Sequence, residues 1–248
     1  MNDKNKSLSR WPRLSAAWSN AAWLCGAALA VSGAQAQDLW VGVIRIDPSV
    51  RSAGIQGLNA LGSLLAQPGH NATLGSASTL LLTYEHAVAD RLGLELVVGL
   101  PPKHDIVGAG TLKPGEKIGS LKQLTPALLL NYHFADRKAR WRPLVGIGPL
   151  YSTISDVQID PAVQPHTTAK ADKKWGLASH VALTYAVDAN WHLTGALGYT
   201  RVKNGITLST DTSKPPYNLL GLPAGTALTG LNVTTKNTTL SLTLGYGF

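Results

Sequence analysis

Cysteine is almost missing from this chain of 248 residues: Cys25 is the only one. A single thiol supports neither a disulfide framework nor a Cys-based metal site. Charge is scarce as well. Charged residues make up 15% of the sequence, against roughly 25% in an average soluble domain. Long apolar runs are also absent beyond residue 36, although hydrophobic residues reach 44%. A protein that crosses a membrane with several helices is therefore excluded, because each helix needs about 20 consecutive apolar residues. Part of the net charge of +8 sits in the first fourteen residues and the rest is scattered along the chain, which argues against nucleic acid as a partner.

What the chain does have begins at its N-terminus. Lys4, Lys6, Arg10 and Arg13 stand against a single acid, Asp3. A mostly apolar stretch over 14–31 follows, and then Gly33-Ala34-Gln35-Ala36. A basic, an apolar and a small-residue region in that order read as a secretory signal peptide, with Ala34 and Ala36 supplying the A-x-A cleavage pattern. Residues 1–36 are predicted to be removed, leaving 37–248 as one domain. Cys25 would leave with them. Trp23 and Leu24 before it do not make a lipobox. The remaining chain keeps 18 basic and 13 acidic residues, a net of +5.

Beyond residue 36 the recurring pattern is alternation with period two, the mark of strands with two unlike faces. Leu240, Leu242, Leu244, Tyr246 and Phe248 fall on one face, and Thr239, Ser241, Thr243, Gly245 and Gly247 on the other. Leu177, Val181, Leu183 and Tyr185 oppose Ala178, His180, Ala182 and Thr184. Leu193, Leu197 and Tyr199 oppose His192, Thr194, Ala196 and Gly198. The non-apolar face is small rather than rich in Lys and Glu, as suits the crowded inside of a narrow barrel. Aromatics are predicted at the ends of the apolar faces: Trp40, Tyr84, Tyr132, Phe134, Trp175, Tyr185, Trp191, Tyr199, Tyr246 and Phe248. Such girdles mark the two interfaces of a membrane barrel.

Eight strands are predicted, near 39–47, 78–87, 91–100, 118–134, 141–155, 174–187, 190–208 and 230–248. Short links (88–90, 135–140, 188–189) alternate with long ones (48–77, 101–117, 156–173, 209–229) rich in Gly, Pro, Ser, Asn and Asp. The fold class expected is all-β: an eight-stranded antiparallel transmembrane β-barrel with short periplasmic turns and long extracellular loops. The expected location is the Gram-negative outer membrane, with both termini in the periplasm.

Several segments are more specific. They are Trp40-Val41-Gly42-Val43-Ile44-Arg45-Ile46-Asp47-Pro48, Gly93-Leu94-Glu95-Leu96 leading into Pro101-Pro102-Lys103-His104-Asp105-Ile106, and Leu124-Thr125-Pro126 with Asn131-Tyr132-His133-Phe134. Arg142-Pro143-Leu144-Val145-Gly146-Ile147-Gly148, Trp175-Gly176-Leu177-Ala178, Asn190-Trp191 and Gly245-Tyr246-Gly247-Phe248 complete the set. Taken in this order they resemble the OmpW family of small outer-membrane proteins, with Pro102 standing where the family usually has Phe. The resemblance implies a barrel that binds or passively conducts small hydrophobic molecules and releases them sideways into the membrane. A structural or adhesion barrel with a blocked lumen is the alternative. Eight strands leave room for side chains or one small ligand, not a wide aqueous channel.

Candidate sites follow from the pattern. Arg45, Glu85, Glu95, Lys122, His133, His180 and His192 are predicted to point into the barrel as a polar network, because Arg or Lys at the lipid midplane costs about 2–4 kcal/mol. Leu58, Leu61, Leu64 and Leu65 in the first long link, with Leu219, Leu220 and Leu222 in the last, are candidates for an apolar lid or ligand pathway at the barrel mouth. Leu240, Leu242, Leu244, Tyr246 and Phe248 resemble the signal read by the barrel-assembly machinery, and periplasmic chaperones are the other partners expected during biogenesis. Lys103, His104 and Asp105 are expected to anchor a strand end rather than to catalyse. His and Asp adjacent in a strand point to opposite faces. No catalytic residue, metal or cofactor is expected. Outer-membrane lipid, lipopolysaccharide and a small hydrophobic ligand are the expected partners.

Overall fold

A computed structural model describes residues 37–52, 70–110, 115–161, 166–211, 213–214 and 227–248. The predicted signal segment with Ala34 and Ala36 lies outside the described residues. So do Leu58, Leu61, Leu64, Leu65, Leu219, Leu220 and Leu222.

The described residues form twelve strands: β1 (Gln37–Ser52), β2 (His70–Leu74), β3 (Ala77–Ala89), β4 (Leu92–Gly99), β5 (Lys103–Gly110), β6 (Lys117–Leu124), β7 (Ala127–His133), β8 (Trp141–Ile159), β9 (Thr167–Ala171), β10 (Lys174–Ala186), β11 (Trp191–Thr210) and β12 (Ala227–Gly247). Eight of them close a ring in the order β1-β3-β4-β7-β8-β10-β11-β12, with β12 paired back onto β1, every neighbour antiparallel. Closure leaves the ring without a free edge strand, which is the condition for a sheet to span lipid. The eight predicted strands are this ring.

Three of the remaining four strands lie where long irregular links were expected. β2, β5 and β9 fall inside the expected links 48–77, 101–117 and 156–173, and β6 is the first part of the expected strand 118–134. β2 pairs with β5, β5 with β6, β6 with the far half of β8, and β9 with the far half of β11. The wall therefore continues past the membrane-sized ring at one end. The breaks between ring and extension are chemical. Pro101 and Pro102 separate β4 from β5, Pro126 separates β6 from β7, and a proline supplies no ladder donor.

The two faces sort as alternation requires. Leu39, Val41, Leu80, Leu82, Leu128, Leu130, Ile147, Leu177, Leu197, Leu240 and Leu242 are exposed on the outer wall, whereas Leu81, Leu129, Leu144, Leu150, Ala178 and Val202 are buried inside. At the short-turn end, outward aromatics meet in clusters: Tyr132 with Phe134 (5.1 Å), Trp141 with Tyr185 (4.7 Å), and Trp191 with Tyr246 (5.2 Å). Tyr151 and Trp175 (5.0 Å) make a second cluster towards the extension. Trp40 departs from the prediction. It is buried in the lumen, lying flat against the Gly245 backbone, where a Cβ would collide with its ring. β1 is apolar on both faces, with Leu39, Val41 and Val43 on one and Trp40, Ile44 and Ile46 on the other, so hydropathy alone gives no sign for its direction.

Candidate functional site

The lumen contains a polar knot towards the short-turn end and an apolar cavity above it. The knot is centred on Asn131. Its amide nitrogen donates to Glu85 Oε2 (2.6 Å) and Glu95 Oε2 (2.8 Å), and its Oδ1 accepts from His180 Nε2 (3.0 Å). His133 Nε2 lies 2.8 Å from Glu85 Oε1, and His180 Nε2 lies 3.5 Å from Glu95 Oε2. Most buried side-chain polar atoms find a hydrogen-bond partner. Here one amide bridges two carboxylates and an imidazole. Gly93 and Gly146 make room for the knot, since a Cβ at either would strike Glu85 or Asn131 and His180. Nearer the turns, Asp38 faces Arg137 (3.5 Å) and His192 (3.6 Å), and Thr184 and Thr194 share a hydrogen bond of 2.9 Å.

Five of the seven residues predicted for the lumen network are thus gathered inside: Glu85, Glu95, His133, His180 and His192. Arg45 and Lys122 are not. The Arg45 side chain is 59% exposed and pairs with Asp47 at 3.2 Å on the outer wall, with the parity of Leu39 and Val41. Lys122 is 46% exposed and pairs with Asp156 at 2.9 Å. It belongs to the extension, where an outward charge is not set against lipid, and Asp156 reaches it from a left-handed backbone conformation (φ 50°). Asn131, Asp38, Arg137 and Arg142 are members of the lumen interior that the prediction omitted. Asn131 stands on the same strand face as His133, two positions away, and that parity was the available signal.

The cavity above the knot has a volume of about 140 Å³. A cavity of roughly 150 Å³ lined by apolar groups accepts a benzene-sized molecule. Its walls are mainly apolar, with Trp40, Ile44, Leu81, Val97, Ala127 and Leu150 among them; Glu85, Glu95 and Asn131 line it on the side of the knot, and Thr184 and Thr194 line it nearer the turns. Thr200 and Asn237, joined by a hydrogen bond of 3.1 Å, line it higher up.

One side of the cavity meets the proline breaks. Pairing between β4 and β7 ends at Val97 with Ala127, and pairing between β5 and β6 starts at Lys103 with Lys122. Between these points the sole backbone bond across the seam among the described residues runs from Gln123 N to Pro102 O (3.2 Å). The other polar groups turn away. Leu100 N donates to Leu80 O (3.1 Å), Thr79 Oγ1 donates to Leu100 O (2.9 Å), and Pro126 O accepts from Tyr151 N (2.9 Å). Leu100, Leu124 and Thr125 line the cavity at this seam, and Leu100 is 51% exposed. The seam is therefore apolar, weakly bridged and continuous with the lumen. Beside it, His104 is buried and its Nδ1 sits 2.8 Å from Gly75 O. That contact ties β5 to the β2–β3 break and agrees with the anchoring role expected of the Lys103-His104-Asp105 segment.

Comparison with known proteins gives a consistent picture. The OmpW family pattern matches residues 40–218. Outer membrane protein W of Vibrio cholerae serotype O1 is 28% identical over 137 residues, which cover 54% of this chain and 63% of that protein. The match thus spans less than two thirds of that relative's length. The dibenzothiophene metabolism operon protein PahQ of Pseudomonas aeruginosa is 29% identical over 127 residues, 51% of this chain and 57% of that one. Among solved structures, the outer membrane protein OprG of Pseudomonas aeruginosa superposes with a TM-score of 0.72 at 24% identity, covering 87% of this chain and 96% of its own. That likeness is one of fold.

Proposed function

This chain belongs to the OmpW family of outer-membrane β-barrels, and from that premise we propose that it binds small hydrophobic molecules in its lumen and passes them sideways into the membrane. The observation that carries the reading is the conjunction of an apolar cavity, a polar knot and a seam in the wall. A molecule in the cavity lies against the knot of Glu85, Glu95 and Asn131. An uncharged apolar solute pushing through that knot would break charge-assisted hydrogen bonds, which are about twice as strong as neutral ones, and could not replace them. At the seam it meets leucine side chains and then lipid. The cost of leaving is lower to the side than downwards.

The orientation that suits this route puts the long extension of the wall outside the cell and the short turns, with both described termini, in the periplasm. The resemblance to a protein of a dibenzothiophene metabolism operon favours a fused or substituted aromatic as cargo, of a size to fit one at a time.

A second reading has its own observation. The cluster Ala127, Leu129, Leu150, Ala178 and Val202 packs tightly inside the wall, as a blocked structural barrel would require. Binding separates the two. The folded barrel in phospholipid vesicles is titrated with naphthalene and with a fluorescent naphthylamine. Saturable binding near one molecule per barrel, weakened several-fold by A178W or L150W, is expected for the conduit. Partition no greater than into vesicles alone would leave the blocked barrel standing.

A further inference from the structure

The outer wall above the lipid-facing residues carries basic side chains for which the protein supplies no counter-charge. Arg201 on β11 stands directly opposite Lys236 on β12 in the antiparallel register, and Lys203 follows on the same face. Their parity is set by their neighbours: Val202, Asn204, Thr235 and Asn237 are buried inside, so the three basic residues point out. Arg201 and Lys203 are exposed and Lys236 is half-buried. Four outward basic residues elsewhere on this wall have acids beside them. Arg45 has Asp47, Lys117 has Asp105, Lys122 has Asp156 and Lys174 has Asp172. Among the described residues Arg201, Lys203 and Lys236 have no such acid.

Like charges directly opposite on neighbouring strands destabilise a sheet. A site that keeps two of them there gains when an anion sits between. The height identifies the anion. Tyr199 and Leu240, exposed on the same two strands, are the last large lipid-facing residues below. Arg201 lies one pleat repeat, about 7 Å, above Tyr199 along the strand. That spacing carries the wall out of the acyl region and into the headgroup layer. We propose that Arg201, Lys236 and Lys203 form a docking site for the phosphorylated headgroup of an outer-leaflet glycolipid. Its acyl chains would run down the outer wall over Tyr199, Leu197 and Leu240. Arg201 suits the phosphate because its guanidinium can hold two oxygens at once, with Lys236 as the second point charge. The proposal rests on the orientation given above, in which the wall extension faces outward from the cell.

The test uses the full folded barrel in phosphatidylcholine vesicles. It is titrated with bis-phosphorylated lipid A, with its dephosphorylated form and with inorganic phosphate, and bound lipid is counted by native mass spectrometry. Retention of bis-phosphorylated lipid A is expected, with about tenfold weaker binding by R201Q/K236Q and a smaller loss for K203Q. R201K/K236R should restore most of the binding and shows that a loss in the Gln variant is not misfolding. Salt should weaken the interaction in the parent protein. Equal binding by R201Q/K236Q and parent, or equal binding of dephosphorylated lipid A, overturns the site. Saturation by inorganic phosphate at the concentration of the lipid would assign it to a free anion and overturns it as well. Labelling of K203C in whole cells by an impermeant maleimide reports the orientation separately. A protected K203C with lipid A still bound in vesicles would fault the orientation, whereas a labelled K203C with no lipid bound would fault the site.

Discussion

At the scale of single residues, Asn131 decides how the lumen is filled. One amide group satisfies two carboxylates and one imidazole, so its loss leaves two buried acids without their shared donor. N131A or N131L is expected to lower the stability of the folded barrel by about 2–4 kcal/mol, seen as a lower urea midpoint for conversion of the compact to the extended gel species. A midpoint equal to the parent's would mean that the knot is not structural. The same scale shows what the sequence made legible. Glu85, Glu95, His133, His180 and His192 were readable as inward-facing because each stands on the small-residue face of a strand whose other face is plainly apolar. Arg45 was misread because β1 is apolar on both faces and parity alone carries no direction. Lys122 was misread because the rule that drives charges inward holds only at lipid depth, and Lys122 lies beyond it. Trp40 was read as an interfacial ring, but the space over Gly245 that admits it to the lumen is a property of strand pairing, not of composition.

At the scale of elements, the ring was legible and its extension was not. Strands with a lipid face alternate strongly, while β2, β5 and β9 are short, carry mostly Thr, Lys, Gly, Ala and Asp, and hold a single leucine, Leu74. Their pairing is set by neighbours far along the chain, such as Leu74 with Ile106 and Ala171 with Ile206. The tight turn between β10 and β11 is an element with a testable device of its own. The Asp188 carboxylate accepts from the backbone N–H groups of Trp191 and Asn190, each at 2.8 Å, and these bonds hold its pKa below the usual carboxylate range. A depressed pKa means that the turn's stabilisation is full above the ordinary pKa of aspartate and is lost as pH falls through the folded value. D188A is therefore expected to exchange the amide hydrogens of 190–191 faster than the parent at neutral pH, with the difference shrinking in strong acid. A difference that grows with acidification would contradict this assignment.

At the scale of the whole molecule, three features act together: a closed ring that tolerates lipid, a polar knot inside the lumen, and a side seam where Pro101, Pro102 and Pro126 prevent the ladder from zipping. The ring and the prolines were visible in the sequence. Their juxtaposition was not, because it depends on β4 and β7 being neighbours that lose their pairing at the same height as the cavity. The most direct measurement of the proposed route is transfer of a fluorescent naphthylamine from outside into the bilayer of vesicles containing L100C/T125C. The variant would be compared in its oxidised and reduced forms. Closing the seam with a disulfide is expected to slow transfer at least several-fold while leaving saturable binding in the lumen intact, and reduction is expected to restore the rate. Transfer that is equally fast with the seam cross-linked would contradict a lateral exit.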